Sequence, residues 1–599
     1  MKTNQHRNPM KSNLESLFRR AIIGGVIVGL AAISMKIALV LAPLAILRIV
    51  VPLRALYTPD HAITVNGMVF LGKALDVATW VLVAGSLLII IYAGFGKYCW
   101  HRLTDDPLPQ PLNPGPVTKR EKVMLTIILF GAVLLRTLQI DRGFSYDEMF
   151  TAYNFVNAKS FWKTISTYIV FNNHIAYSIV ARMAQFLLGA SEWVLRLPAL
   201  LFGVIGVFAV WKFGRAAVGV SGGLLAAALL ALVPLHVVYS ELARGYTGMT
   251  LCVFLSSVFF FKFLASASKA DVLCYISVSI LAVYFHLYAV LEIGVQACLF
   301  FGIALWQAKG GVTTRINRQS FRLFWGALFA ITIGCIICYL PVAVALATYI
   351  QARGRGSFQP GFPWQVVTDL SGSPGWIMVL CMMLVAFVGV RSMWRAQWTF
   401  VSYSLGIFIL PLVLVMAMRP SDLYSRFFLY FLPWYALLLG KGSMVIWRKA
   451  AVMGRLHGAT IRLGLLVFAA IVCYRWIADV SWNYASGPFG GYIASYRAVG
   501  QAMLRQADTN VTLCAFGEGC EELSYYAGRK LKIPRDLNDL EGYINTSSEV
   551  RCAHNVTPWD TPEHRAMARY LDEHGQAMRF SESRPCQEVV LYTIPGKVR

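Results

Sequence analysis

Apolar stretches long enough to cross a membrane recur from about residue 21 to about residue 480, and nothing else constrains what this chain can fold into as tightly. Many exceed the roughly 18 to 20 residues that an α-helix needs to traverse the hydrocarbon core. The pattern predicts an α-helical polytopic membrane protein with about thirteen spans, near 22–46, 77–97, 123–140, 196–213, 219–238, 247–265, 272–287, 289–307, 323–348, 373–390, 398–417, 427–446 and 463–480. A length of 599 residues would ordinarily suggest several soluble domains, but 57% hydrophobic against 14% charged residues excludes them. Arg19 and Arg20 precede the first apolar run as they would in a signal peptide. That run is long and lacks a cleavage site, so it reads as a retained helix.

A net charge of +24 would suggest nucleic acid as the partner of a soluble protein. Here the distribution assigns the charge to topology, and no nucleic acid is expected. Basic residues crowd the N-terminus (Arg7, Lys11, Arg19, Arg20), the segment after the second span (Lys97, Arg102, Lys119, Arg120) and the segments near 309–322 and 441–462. The positive-inside rule places all of these in the cytoplasm. Alternating spans agree at every step, and an odd number of spans puts the C-terminus outside.

Eight of the twelve cysteines lie in or beside apolar spans, where Cys behaves as a small hydrophobe. Cys514, Cys520, Cys552 and Cys586 lie in the polar tail, an even set that suits an oxidising compartment. Proximity along the chain favours pairing Cys514 with Cys520 and Cys552 with Cys586; four free thiols are the alternative. The tail, 481–599, reads as a small exterior α/β domain. Its expected elements are an amphipathic helix near 493–507, a strand Val511–Phe516, a helix near 520–529, a helix opened by Thr561 and Pro562, and a strand Val589–Ile594. Sequons at Asn510, Asn545 and Asn555 fit an exterior location but arise often by chance.

Candidate chemistry is concentrated in the first long exterior stretch, 141–195. It opens Asp141-Arg-Gly-Phe-Ser-Tyr-Asp147-Glu148, continues through Asn172-Asn173-His174 and ends Ser191-Glu192-Trp193-Val-Leu-Arg196. Aromatic residues alternate with polar ones, as in helices lying along a membrane interface. Adjacent carboxylates beside an interfacial groove suit chemistry on a lipid headgroup, whereas taken alone they read as an ordinary solvated loop. Further polar groups gather on the same face: Glu241, Arg244 and Tyr246 after the fifth span, His286 between the seventh and eighth, Arg353 and Arg355 after the ninth, Asp422 and Arg426 after the eleventh. Singly, each could anchor a helix end. Together they resemble an anion-binding reaction site.

The ordered strings SYDEMFTAY, NNHIAYSIVARM, ASEWVLRLPALLFGV, VPLHVVYSELARGY, VYFHLYAV and SRFFLYFLPWYALLL resemble the GT-C membrane glycosyltransferases of the family 39 type. That group includes protein mannosyltransferases, the aminoarabinose transferase of lipid A and lipopolysaccharide sugar transferases. The resemblance covers about residues 123–480, expected as the transmembrane catalytic core. Residues 1–122 are then an N-terminal extension with two spans, and 481–599 the exterior domain. The resemblance implies a multi-pass protein of a bacterial inner membrane, with its N-terminus cytoplasmic and its C-terminal domain periplasmic. It also implies transfer of a sugar from a polyprenyl-phosphate donor to a lipid, glycan or protein acceptor.

The family's catalytic Asp matches Asp147. An inverting displacement needs a general base for the acceptor hydroxyl, which an ionised aspartate supplies. Glu148 is expected to support or position the acceptor, because neighbouring side chains on a helix diverge by about 100°. Arg244 and Arg426 match strings that would stabilise the departing phosphate, with His174, Tyr246 and His286 as further substrate-binding candidates. The chain departs from the family in having His174-Ile-Ala-Tyr177 for a frequent His-Pro-Pro-Leu-Tyr, and Glu241-Leu242 for Gln-Glu, which puts a role for Glu241 in doubt. No cofactor is expected. Adjacent carboxylates could hold a divalent ion through waters, but with no Asp-x-Asp pair and no zinc spacing a metal-independent reaction is favoured. The rivals are a flippase or transporter of lipid-linked sugars, which would carry charges within its spans, and a non-catalytic scaffold. The interiors of the spans read as nearly free of acids.

Overall fold

The computed structural model describes residues 9–41, scattered positions between 79 and 99, and 115–597 apart from 139, 169–172, 310–315, 354–355, 373–374, 421–422, 486–495, 506–509, 518–521, 529, 557–560 and 581–587. The second expected span, Arg355 and Asp422 fall largely or wholly outside these residues.

In chain order the described helices begin with α1 (Pro9–Leu41) and α2 (Lys119–Thr137). Next come α3 (Tyr146–Thr151), a π-helical turn (Ala152–Val156), α4 (Phe161–Ser166) and α5 (Ile175–Leu188). The bundle continues with α6 (Glu192–Ala217), α7 (Val220–Leu232), α8 (Pro234–Ser240), α9 (Tyr246–Ser266), α10 (Lys269–Phe285) and α11 (Val290–Ala308). It closes with α12 (Arg318–Tyr339), α13 (Ala343–Arg353), α14 (Phe362–Leu370), α15 (Trp376–Met393), α16 (Trp398–Met418), a 3₁₀ segment (Ser425–Phe431), α17 (Leu432–Val452) and α18 (Arg455–Ala485). Each expected span from the third onward falls on a helix. Among the described residues eight helices are long and apolar enough to cross a membrane, or nine with one bent pair counted as a single span. The chain is a multi-pass membrane protein.

The bent pair corrects the sequence reading of 219–238 as one continuous span. α7 and α8 meet at 61°, because Pro234 has no N–H to donate to Leu230 and its ring cannot continue the helix. The carbonyls freed at the break are taken by the buried Arg136 of α2, which donates to Ala231 O at 2.9 Å and Leu230 O at 3.4 Å. The same guanidinium bonds His236 Nδ1 of α8 at 2.8 Å. The deflection turns residues 241–246 inward, and every one of them is buried.

Between α2 and α6 the chain runs along one end of the bundle. α5 buries Ile175, Ala176, Tyr177, Ser178 and Ala181 and exposes Met183, Phe186, Leu187 and Leu188, the division expected of a helix lying along an interface.

After α18 the tail folds into α19 (Tyr496–Leu504), β1 (Val511–Gly517), α20 (Leu537–Asn545), β2 (Glu549–Val556), α21 (Pro562–His574), β3 (Gln576–Phe580) and β4 (Glu588–Pro595). The sheet order is β1-β2-β4-β3, with β1 and β2 parallel and the other pairs antiparallel. Thr561 caps α21 by accepting from His564 N, as the Thr-Pro signal predicts. The helix expected near 520–529 is only a 3₁₀ turn, Glu522–Tyr525. The chain must reverse at Gly528, whose φ is +61°, so that Lys532 can bond Leu513 and Ala515 of β1. α20, β2 and β3 had no counterpart in the sequence reading. Cys514 and Cys552 are register partners on adjacent strands and both are buried. Cys520 and Cys586, their expected disulfide partners, lie outside the described residues.

Candidate active site

α3 starts with a capping box: Ser145 is the N-cap, and the Glu148 side chain three residues on reaches back to the Ser145 N–H. The two acidic neighbours are consecutive in the first turn and diverge by about 100° around the axis, Asp147 half-buried and Glu148 fully buried. Glu148 accepts five hydrogen bonds: Ser145 N and Oγ at 3.0 Å each, Arg196 Nε at 2.7 Å, Arg196 Nη2 at 2.8 Å and Ala243 N at 2.8 Å. Burial alone would push this carboxyl up, but the Arg196 guanidinium, its hydrogen bonds and Arg142 hold it down at about 2. Arg196 spends its remaining donors on the carbonyls of Ile140, Arg142 and Gly143. Glu148 therefore joins three segments, α3, α6 and the loop after α8, and all its contacts are to protein. Any support it gives an acceptor is through that joint.

The Asp147 carboxylate lies within electrostatic range of the Arg426 guanidinium, and Arg426 hydrogen-bonds the neutral phenol of Tyr239. Arg426 also stacks on Tyr424, with the guanidinium carbon 4.2 Å from the ring centre. Arg244 enters from the other side: it donates to Thr151 Oγ1 at 2.9 Å, and that hydroxyl in turn donates to Asp147 O at 2.9 Å. The tie links the phosphate-binding candidate to the turn that carries the carboxylate. Immediately after that turn comes the π-helical segment, a local departure that often accompanies functional sites.

The two histidines meet over Tyr246. Ring centres are 4.7 Å apart for His174 and Tyr246, and 5.1 Å for His174 and His286. Phe427 closes the box 4.9 Å from His286. This approach requires Gly245, since a Cβ there would lie 2.9 Å from His174 Cβ. His174 Nδ1 lies 3.1 Å from Phe285 O, an acceptor, so Nδ1 carries the hydrogen and the buried Nε2 is a bare acceptor with no partner. In His286 Nδ1 accepts from Tyr288 N at 3.3 Å, which leaves Nε2 as the donor. Burial, then the Arg244 guanidinium, lower both imidazoles, His286 to about 3, so both are neutral. One offers an acceptor and the other a donor.

The structure thus brings Asp147, His174, Arg244, Tyr246, His286 and Arg426 to one end of the bundle, with Glu148 beneath them. Glu241 is buried below that layer with neither oxygen hydrogen-bonded, and burial pushes its carboxyl up to about 8 against the pull of Arg142 and Arg136. Arg196, Thr151 and Tyr239 were not singled out by the sequence reading. The position of Arg196 was visible in the WVLRLP string, but no spacing rule ties it to Glu148, 48 residues earlier. The span interiors, expected to be nearly free of acids, hold one notable exception. Glu292 is fully buried in α11, bonded to Tyr403 Oη at 2.6 Å, Ser257 Oγ at 3.0 Å and Gln296. Among the described residues no group of three or more His, Cys, Asp or Glu side chains could hold a metal ion.

The family model described as dolichyl-phosphate-mannose-protein mannosyltransferase matches residues 175–339, a stretch that includes Arg244, Tyr246 and His286. Among solved structures, the chain is similar to ArnT from Cupriavidus metallidurans in the apo state, at 12% identity and TM-score 0.52, over 79% of this chain and 98% of that one. This chain has the GT-C fold. A second ArnT structure from the same organism, bound to undecaprenyl phosphate, matches at 12% identity and TM-score 0.52, over 80% and 98% of the two chains. The Archaeoglobus fulgidus oligosaccharyltransferase matches at 13% identity and TM-score 0.44, over 76% and 72%. No curated protein matches the sequence. At 12% identity the likeness is one of fold. The chemistry has to be argued from the residues of the site.

Proposed function

We propose that this protein is an integral-membrane glycosyltransferase that moves a sugar from a polyprenyl-phosphate donor to a lipid, glycan or protein acceptor, with inversion, on the exterior face of a bacterial inner membrane. The observation that carries the reading is the half-buried carboxylate of Asp147 within electrostatic range of the Arg426 guanidinium, with Arg244 tied to the same turn. Asp147 takes the proton of the acceptor hydroxyl as its oxygen bonds to the anomeric carbon. The bond from that carbon to the phosphate oxygen breaks, and polyprenyl phosphate leaves with the electron pair. Arg244 and Arg426 stabilise the charge that grows on it and take the place of an acid catalyst. His174 Nε2 accepts from, and His286 Nε2–H donates to, a sugar or phosphate oxygen across the aromatic box. Glu148 is saturated by protein groups and holds the base in place. The structurally similar ArnT is bound to undecaprenyl phosphate, which supports the choice of carrier, and the basic segments 309–322 and 441–462 support the orientation.

The test is transfer from a polyprenyl-phosphate sugar by the purified protein and by a folded Asp147→Asn variant. The variant is expected to lose roughly a hundredfold or more of its rate; equal rates would remove Asp147 as the base. A second reading, a carrier for intact lipid-linked sugar, draws on Glu292, since an acid inside a span often marks a transport path. Movement of the intact lipid across vesicles without any transfer would favour it.

A further inference from the structure

The exterior domain does more than cap the bundle. Its Tyr525 and Tyr526 rings flank Phe144, at 5.5 Å and 6.2 Å between ring centres, while the Arg196 guanidinium covers the same ring at 5.1 Å. Phe144 is fully buried and its N–H donates to Tyr526 Oη at 2.7 Å. The same phenol donates to Glu192 Oε1 at 3.2 Å, and burial, then the Glu192 carboxylate, pushes Tyr526 up, so it stays a neutral donor. Arg497 of α19 completes the junction, donating to Glu192 Oε1 at 2.8 Å and to Asp141 O at 2.7 Å. α19 is pressed against Tyr526 so closely that a Cβ on Gly500 would lie 2.4 Å from Tyr526 Cβ. These contacts seize residues 141–144, and Ser145, the N-cap that starts the turn bearing Asp147, follows directly.

We infer that the exterior domain is a positioning clamp for the catalytic turn, with Tyr526 and Arg497 as positioning residues that set where the Asp147 carboxylate sits. The inference rests on the reading of Asp147 as the base. Only two residues, Ser145 and Tyr146, separate the clamped Phe144 from Asp147, and the capping box with Glu148 makes that interval stiff. Outside their own domain, the described contacts of Tyr525, Tyr526 and Arg497 go to Asp141, Gly143, Phe144 and Glu192. The phosphate-binding arginines stand on other segments, after α8 and before α17. Loosening the clamp therefore displaces the base and leaves the donor's phosphate contacts in place.

That separation gives a test that a merely structural role would fail. In Tyr526→Phe the Phe144 N–H and Glu192 each lose a partner while the ring stacking survives. Its kcat is expected to fall roughly ten- to a hundredfold, the cost of a misplaced reacting group, with the donor KM within about twofold of wild type. Arg497→Ala should behave in the same way, and Arg565→Ala, on the exposed face of α21, should match wild type. Hydrogen exchange of the amides of residues 144–150 should quicken in Tyr526→Phe. Unchanged kcat and unchanged exchange would overturn the clamp, as would a donor KM that worsens as much as kcat. Faster exchange at 144–150 together with an Asp147→Asn variant of wild-type rate would keep the clamp and discard the base.

Discussion

Replacing Glu148 by Gln should cost more stability than any other single change at this site, and the structure gives the magnitude. The carboxylate is fully buried, accepts five hydrogen bonds and neutralises Arg196, itself fully buried. Gln can accept at one oxygen only and leaves the guanidinium an uncompensated buried cation, a loss of about 3–5 kcal/mol in comparable pairs. The carboxyl's shift from 4.5 to about 2 gives a separate figure of about 3 kcal/mol. Because the folded-state value is depressed, that contribution is complete above about pH 4.5 and is lost as the pH falls toward 2.

Thermal unfolding of detergent-purified protein, followed by Trp fluorescence, should show Glu148→Gln melting well below wild type. Asp147→Asn removes a carboxylate that is only half-buried and should melt closer to wild type than Glu148→Gln. A Glu148→Leu, Arg196→Met double variant should recover much of the lost stability, since apolar residues of similar volume often replace a buried pair without penalty. It should not recover transfer, because the joint between α3, α6 and the loop after α8 is gone. Wild-type melting of Glu148→Gln would refute the reasoning. So would a double variant with full activity, which would show that the pair does not position the base.

Arg244→Lys and Arg426→Lys each replace a planar fork by a point charge and should lower kcat by about tenfold or more while the protein stays folded, measured by donor titration of the transfer rate. His286 sits near 3 in the folded state against an ordinary 6.5, so its contribution to stability is complete above about 6.5 and falls away toward pH 3, by up to about 1.4 kcal/mol per unit. Unfolding midpoints measured across that window should flatten in His286→Gln, and an unchanged slope would contradict the burial of the ring. Glu292→Ala strands the donors of Tyr403, Ser257 and Gln296 at about 1–3 kcal/mol each, whereas Glu292→Gln should be mild. Equal melting of the two would argue against the network.

The spans were legible because hydrophobic length is a local property, and the Thr561-Pro562 start of α21 because a cap is local too. The convergence of Asp147, Arg244, His286 and Arg426 was legible only as a shared face. Loop ends on the same side of a bundle have to come near one another, but which of them touch depends on packing. Glu148 shows the limit. Its adjacency to Asp147 suggested shared chemistry, while its partners Arg196 and Ala243 lie 48 and 95 residues away and carry no spacing signature. Glu292 was overlooked for the opposite reason. One acid in an apolar helix barely changes the average, and its solvation comes from side chains on three helices, α9, α11 and α16.

The break at Pro234 connects these two scales. A straight span over 219–238 would carry residues 241–246 out along the helix axis, away from α3. Proline forces the bend, but a bend within an apolar span exposes carbonyls that have no water to turn to. Arg136 supplies the missing donors from α2, so a cation buried among apolar helices is there to satisfy backbone and does not mark a pathway for charge. With the carbonyls satisfied, the chain can dive back under the turn that bears Asp147. Ala243 N then reaches Glu148 and Arg244 reaches Thr151. The apolar pattern places the helix, the proline redirects it, and the arginine makes the redirection affordable. Only after those three steps do Asp147, Arg244 and Arg426 share a site.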